Sequence, residues 1–296
     1  MSDGRRTDAP GGGSISRRTA LRTGIVLALW IGLYLPQFGY LARSVWSQEK
    51  YSHGWLIPVV SAGWVFAHRK RLASLHSRPA GGGMVLVLLG LLLWIYAQNK
   101  EFNALAHVSM LLTLSGIVAF AGGFRRLSAL GFPVLYLVFM FPVPRRLDDL
   151  YVVGPLQRFA AWVAEAAIRA VSIPVVREGN IIEVPGIRLF VEEACSGIHS
   201  LYSLLALGTA VAFIFRYRSF VRILLILATI PIAIFANVVR VAGTGILAHA
   251  VSVKAAEGFS HFVAGLVVFA LGLVIFLGLA AAMGAIFPVR GEGRAP

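Results

Sequence analysis

The chain has a single cysteine, Cys195, in the run Glu192-Glu193-Ala194-Cys195-Ser196-Gly197-Ile198-His199, where a charged stretch meets a long apolar one. The next two apolar stretches carry Arg240, in Asn237-Val238-Val239-Arg240, and His261, in Gly258-Phe259-Ser260-His261. A thiol, a guanidinium and an imidazole are the parts of a cysteine acyl-transfer site. The thiolate attacks a carbonyl, the imidazole takes the thiol proton and returns it to the leaving group, and the guanidinium fork offsets oxyanion charge. A thiol at the start of a helix faces free backbone N–H groups and the positive end of the helix dipole, both of which favour the thiolate. Each residue also has a plainer reading. Cys195 could be a small buried hydrophobe, Arg240 a snorkelling cation or an ion-pair partner of Glu192 or Glu193, and His261 an interfacial hydrogen-bonder. His199, one turn beyond Cys195, is a rival base, and His53, Glu193, Ser196 and Asn237 are candidates to support the site.

Composition sets where these residues must be held. With 58% hydrophobic and 14% charged residues, and a mean hydropathy of +0.78, most of the chain cannot face water, and the fold class expected is an all-α polytopic membrane protein. One cysteine excludes an intramolecular disulfide. The net charge of +14 does not read as a nucleic-acid surface, because the arginines sit in short clusters between apolar runs. Residues 1–18, rich in Gly, Ser and Arg, are expected to be a disordered tail, and 291–296 a short cytoplasmic tail. Residues 19–290 are expected to form one transmembrane domain. Arg17-Arg18 ahead of the first apolar run resembles a twin-arginine signal, but no small-residue cleavage site follows, which favours an uncleaved first helix.

About eight spans are expected: 21–41, 54–67, 84–98, 104–121, 127–143, 196–215, 221–247 and 261–287. Arg17, Arg18 and Arg22, then Arg69, Lys70 and Arg71, then Arg125 and Arg126, then Arg216, Arg218 and Arg222, and finally Arg290 and Arg294 fall in alternate loops. The opposite loops hold nearly cancelling charges: Lys50 with Glu49, Lys100 with Glu101, Lys254 with Glu257. The positive-inside rule then puts both termini in the cytoplasm and the segment 144–194 outside. In that segment Arg158, Trp162, Glu165 and Arg169 recur at helical spacing opposite Leu156, Phe159, Ala160, Val163 and Ala167. The pattern predicts an amphipathic helix on the outer leaflet, with a ninth, polar-striped span as the alternative. Short β-like pieces at 175–178, 181–184 and 187–191, punctuated by Gly179-Asn180 and Pro185-Gly186, predict a small hairpin or meander before helix six. At helical rise, Cys195 lies roughly 31 Å above Arg216, and Arg240 about 27 Å above Arg222. His261 enters its span from the same outer side, so three separate helices bring thiol, guanidinium and imidazole to one depth.

At these residues the chain resembles the exosortase/archaeosortase family of membrane cysteine transpeptidases. The likeness rests on Glu-Ala-Cys-Ser-Gly-Ile at 193–198, Asn-x-x-Arg at 237–240 and His261 before the last span, in that order. Ser52-His53-Gly54, Phe141-Pro142-Val143-Pro144 and Arg177-Glu178-Gly179-Asn180 echo it, over about residues 50 to 285. The resemblance implies a bacterial inner-membrane enzyme that needs no cofactor or metal. Its partners would be exported proteins ending in a sorting motif, an apolar span and a basic end. Cys195, Arg240 and His261 would be catalytic, on the outer face. His199 stands where related blocks often carry Arg or Asn. Two other classes remain open. A zinc-dependent protease could use Cys195, His199 and His261, although no His-Glu-x-x-His helix supplies ligands plus a base. A transporter would gather its polar groups near mid-membrane, usually in repeated halves.

Overall fold

The computed structural model describes residues 17–75, 78–100, 102–185, 187–190, 198–215, 217–250 and 259–288. The chain is mostly helical because backbone in hydrocarbon must satisfy its own N–H and C=O groups, which a helix does within one segment. Each of the eight apolar runs overlaps a helix among the described residues, but length separates them. By length and composition, four helices suffice to cross a membrane: α5 (Gly82–Asn99), α6 (Asn103–Ala129), most of α11 (Ser219–Ala250) and most of α12 (Phe259–Ile286). The pair Gly24–Leu33 and Leu35–Val45, covering α1 (Arg17–Leu33), α2 (Leu35–Tyr40) and a π turn, makes a fifth if its 60° bend lies within one span. The other three runs give shorter apolar helices: α3 (Leu56–Ala67) with 12 residues, Gly131–Met140, and α10 (Ile198–Ile214) with 17. This is a multi-pass membrane protein in which, among the described residues, four helices, or five with the bent pair, are long and apolar enough to span.

The chain divides into two compact units. The first comprises Met1–Tyr40 and Val59–Val138. Its centre is the antiparallel pair α5 and α6, which meet at glycines. A Cβ on Gly83 would lie 2.2 Å from the Phe120 backbone nitrogen, one on Gly90 2.4 Å from Thr113 Cγ2, and one on Gly116 2.6 Å from the Val87 backbone nitrogen. Such contacts matter in a bilayer, where lipid tails are as apolar as leucine and close van der Waals packing must hold helices together. The bent first helix joins the pair through polar groups. The Trp30 indole donates to Thr113 Oγ1 at 3.0 Å, the Tyr34 hydroxyl donates to Ser109 Oγ at 3.1 Å, and Gln37 Nε2 lies 2.9 Å from His107 Nε2. At Gly123 (φ +76°) the α6 backbone leaves helical geometry, and a Cβ there would strike the Arg78 carbonyl oxygen at 2.3 Å. The apolar part of α6 therefore ends just before Arg125 and Arg126.

The second unit, Leu41–Pro58 with Phe139–Pro296, holds every candidate site residue. Here α10 and α11 pack at Gly208, whose missing Cβ leaves room for Thr229 Cγ2 (2.4 Å) and the Phe276 ring of α12 (3.2 Å). Leu204, Val221, Leu225 and Phe276 fill the seam. After α8 (Arg145–Asp148) and a π turn comes α9 (Gly154–Ala170), then strands β1 (Val176–Glu178), β2 (Ile181–Val184) and β3 (Ile187–Phe190), paired antiparallel in chain order. The strands sit where β-branched residues and the Gly-Asn and Pro-Gly breaks place them. They form a three-stranded meander rather than a lone hairpin.

The helix at 154–170 is the one expected, but its apolar face is used differently. Ala160, Ala161, Ala164 and Ile168 are the buried residues, and Ala161, Ala164 and Ile168 pack against Val175, Ile182 and Val184 of the sheet region and against Val241 and Ala242 of α11. Phe159 and Trp162 are exposed instead. Small residues suit close contact with a sheet and a helix, so this face binds protein, and the aromatics are left on the exposed face.

Candidate active site

Arg240 lies on α11, half-buried, and its Nη2 donates to Asn237 Oδ1 at 2.9 Å. Residues three apart on a helix share a face, so the Asn-x-x-Arg spacing itself brings the amide to the guanidinium. Asn237 is 2% exposed, and a buried acceptor of that kind fixes where the guanidinium fork points. The following turn, Val241 and Ala242, is capped by α9 and the sheet. The meander is therefore anchored on the stretch of α11 that carries Arg240, and its last strand ends at Phe190, five residues before Cys195.

Cys195, Glu193 and Ser196 lie outside the described residues. His199 and His261 are described in their backbones alone, each within the first turn of its helix, α10 and α12. Among the placed side chains the structure brings together Arg240 with Asn237, and His53 with α10. His53 sits in a 3-10 segment, Glu49–Trp55, with Nδ1 3.3 Å from Ser203 Oγ, one helical turn beyond His199. Burial pushes its imidazole below the usual histidine value, and a hydrogen bond to the Phe139 backbone pulls it partly back. Burial therefore favours the neutral form of His53.

The neighbouring Gly54 explains the Ser-His-Gly order. A Cβ there would lie 2.3 Å from Cδ1 and Nε1 of Trp46, which is buried and donates its indole N–H to the Met140 carbonyl at 2.9 Å. Trp46 also packs edge-on against Trp55, with ring centroids 4.6 Å apart, so it has nowhere to move. Gly54→Ala is expected to destabilise by about 1–3 kcal/mol, the usual cost of overpacking. Thermal unfolding in detergent would register this as a lower midpoint, and an unchanged midpoint would show that the indole gives way.

Four residues in this unit escaped the sequence reading. Lys50, beside Glu49 in the sequence, is 7% exposed and places Nζ 2.5 Å from Oδ2 of Asp148, itself 3% exposed. The Tyr202 hydroxyl of α10 donates to Asp148 Oδ1 at 2.5 Å, and the Tyr51 hydroxyl lies 3.5 Å from Oδ2. The two tyrosine rings stack 5.8 Å apart, with the Lys50 ammonium 5.6 and 5.8 Å from their centroids. The signal in the sequence is weak, because Lys50 beside Glu49 and Asp148 beside Asp149 both resemble solvated loop charges. Among the described residues no group of three or more His, Cys, Asp and Glu side chains is placed to hold a metal ion.

Residues 45–278 match the family model described as Transmembrane exosortase (Exosortase_EpsH). The chain belongs to that family. The match takes in His53, Asp148, Cys195, Arg240 and His261 and leaves out most of the bent first helix. No curated protein and no solved structure matches this exosortase. The family and the multi-pass fold agree with the resemblance drawn from the three motif blocks.

Proposed function

We propose that this exosortase is a cysteine transpeptidase or protease that removes C-terminal sorting tails from exported proteins. The observation that carries the proposal is a family match running through all three motif blocks, with Arg240 already oriented by Asn237. Cys195 acts as nucleophile. Its thiolate Sγ attacks the scissile carbonyl carbon, and the C=O electron pair moves onto oxygen, where the Arg240 guanidinium offsets the charge. The proton taken from the thiol by His261 passes to the departing amine nitrogen, the C–N bond breaks, and a thioester remains. Water or an acceptor amine then resolves it, giving hydrolysis or transfer. His53, Ser196, His199 and Glu193 surround this chemistry in the proposal without forming bonds to the reacting carbon. Mass spectrometry of the new C-terminus of a processed substrate tests the reading. Added mass means transfer and a bare carboxylate means hydrolysis, whereas a tail that stays attached overturns the proposal.

The proposed setting is the bacterial inner membrane, with eight spans, both termini cytoplasmic and residues 144–194 outside. The arginine clusters support this orientation. Reporter fusions at Asp149 or Gly186 are expected to appear extracytoplasmic, and fusions at Arg71, Arg125 and Arg218 cytoplasmic. Reversed signals at any two of these positions would invert the placement of the chemistry.

A further inference from the structure

We propose that Asp148, clasped between Lys50 and Tyr202, is a positioning residue that sets the register of α10, the helix that follows Cys195 in sequence, against the His53 segment. The inference rests on the reading of Cys195 as nucleophile. Three segments meet at one carboxylate. Lys50 comes from the 3-10 segment that carries His53, Asp148 from the end of α8, and Tyr202 from the first half of α10, and the contacts span 98 and 54 residues of sequence. Ser203, next to Tyr202, meets His53 at 3.3 Å, so the clasp and the imidazole contact act on the same turn of the same helix. Cys195 lies three residues before the first residue of that helix.

The chemistry of the cluster points to geometry rather than stability. Taking a lysine and an aspartate out of water costs about as much as their attraction returns, and apolar residues of similar volume often hold a fold as well. What an apolar pair cannot do is direct a hydroxyl. Both carboxylate oxygens are engaged, Oδ2 by Lys50 and Oδ1 by Tyr202, so rotating or sliding α10 breaks a charge-assisted hydrogen bond. The stacked Tyr51 and Tyr202 rings enclose the ammonium and keep the pair away from competing water. An acyl-transfer site depends steeply on such register, since a misplacement of about 1 Å can cost on the order of a hundredfold in rate.

Two variants test this in the full-length membrane protein. Tyr202→Phe removes one hydroxyl and leaves the ion pair intact. The double variant Lys50→Met/Asp148→Leu removes the pair without stranding a buried charge. Both are expected to accumulate and melt like the parent, while kcat for tail cleavage falls about 10- to 100-fold and KM stays within about twofold. Alkylation gives a readout free of substrate, because Cys195 is the sole thiol. The midpoint of its rate against pH is expected to move in both variants. Parental kcat and an unmoved alkylation midpoint in both variants would overturn the inference while Cys195→Ala stays inactive, leaving the nucleophile reading standing. Failure of Tyr202→Phe to accumulate would also overturn it, by assigning the cluster to stability. Cleavage by Cys195→Ala would remove the nucleophile reading, and this inference with it.

Discussion

Cys195→Ala is expected to abolish tail cleavage while the protein accumulates in the membrane at its normal level. The thiol is the only one in the chain, so no second cysteine can substitute for it. Cys195→Ser should come close to the same result, because an unactivated hydroxyl is a far poorer nucleophile than a thiolate and the neighbouring base would have to ionise a much weaker acid. Immunoblotting of an exported substrate for its uncut form reads the outcome directly. Cut substrate in Cys195→Ala cells would show that another group carries the attack.

Arg240→Lys separates charge from geometry. Lysine keeps the positive charge and most of the reach, so an arginine that only snorkels or balances Glu193 would be replaced with little loss. The guanidinium, however, has one N–H committed to Asn237 Oδ1 at 2.9 Å, and that bond aims the rest of the fork. An ammonium on Asn237 offers no fixed plane, and loss of one oxyanion donor typically costs ~10²–10³ in rate. Cleavage by Arg240→Lys is expected to fall by about that factor with unchanged abundance. Near-normal cleavage would reduce Arg240 to a structural cation and leave Cys195 and His261 as a dyad.

The parts of this molecule that could be read from its sequence are those fixed by local physics. The three strands follow from short β-branched runs between Gly-Asn and Pro-Gly breaks, and the observed bounds fall within a residue of the expected ones. The Asn237–Arg240 contact follows from helical spacing alone. Long-range pairing was not readable. Lys50 finds Asp148 across 98 residues, and in sequence both resemble solvated loop charges. For α9 helical spacing gives the helix but not the protein partner of its alanine-rich stripe, since such a stripe can face lipid or another element, and only the fold chooses. Hydropathy located the helices but not their lengths, because the helical stretch at 131–140 is shorter than the apolar run around it suggests.

The glycine seam between α5 and α6 bears on how the protein is made. These two helices are neighbours in sequence, separated at Lys100 and joined again at Asn103, and their contacts close almost no loop. Local pairings of this kind form fast, and domains generally assemble from the N-terminal side as synthesis proceeds. The hairpin is therefore able to zip together while the ribosome has yet to reach Asp148, Cys195, Arg240 or His261. A bulky side chain at Gly83, Gly90 or Gly116 would act at that early moment, lowering the number of finished molecules without altering the turnover of each one that matures.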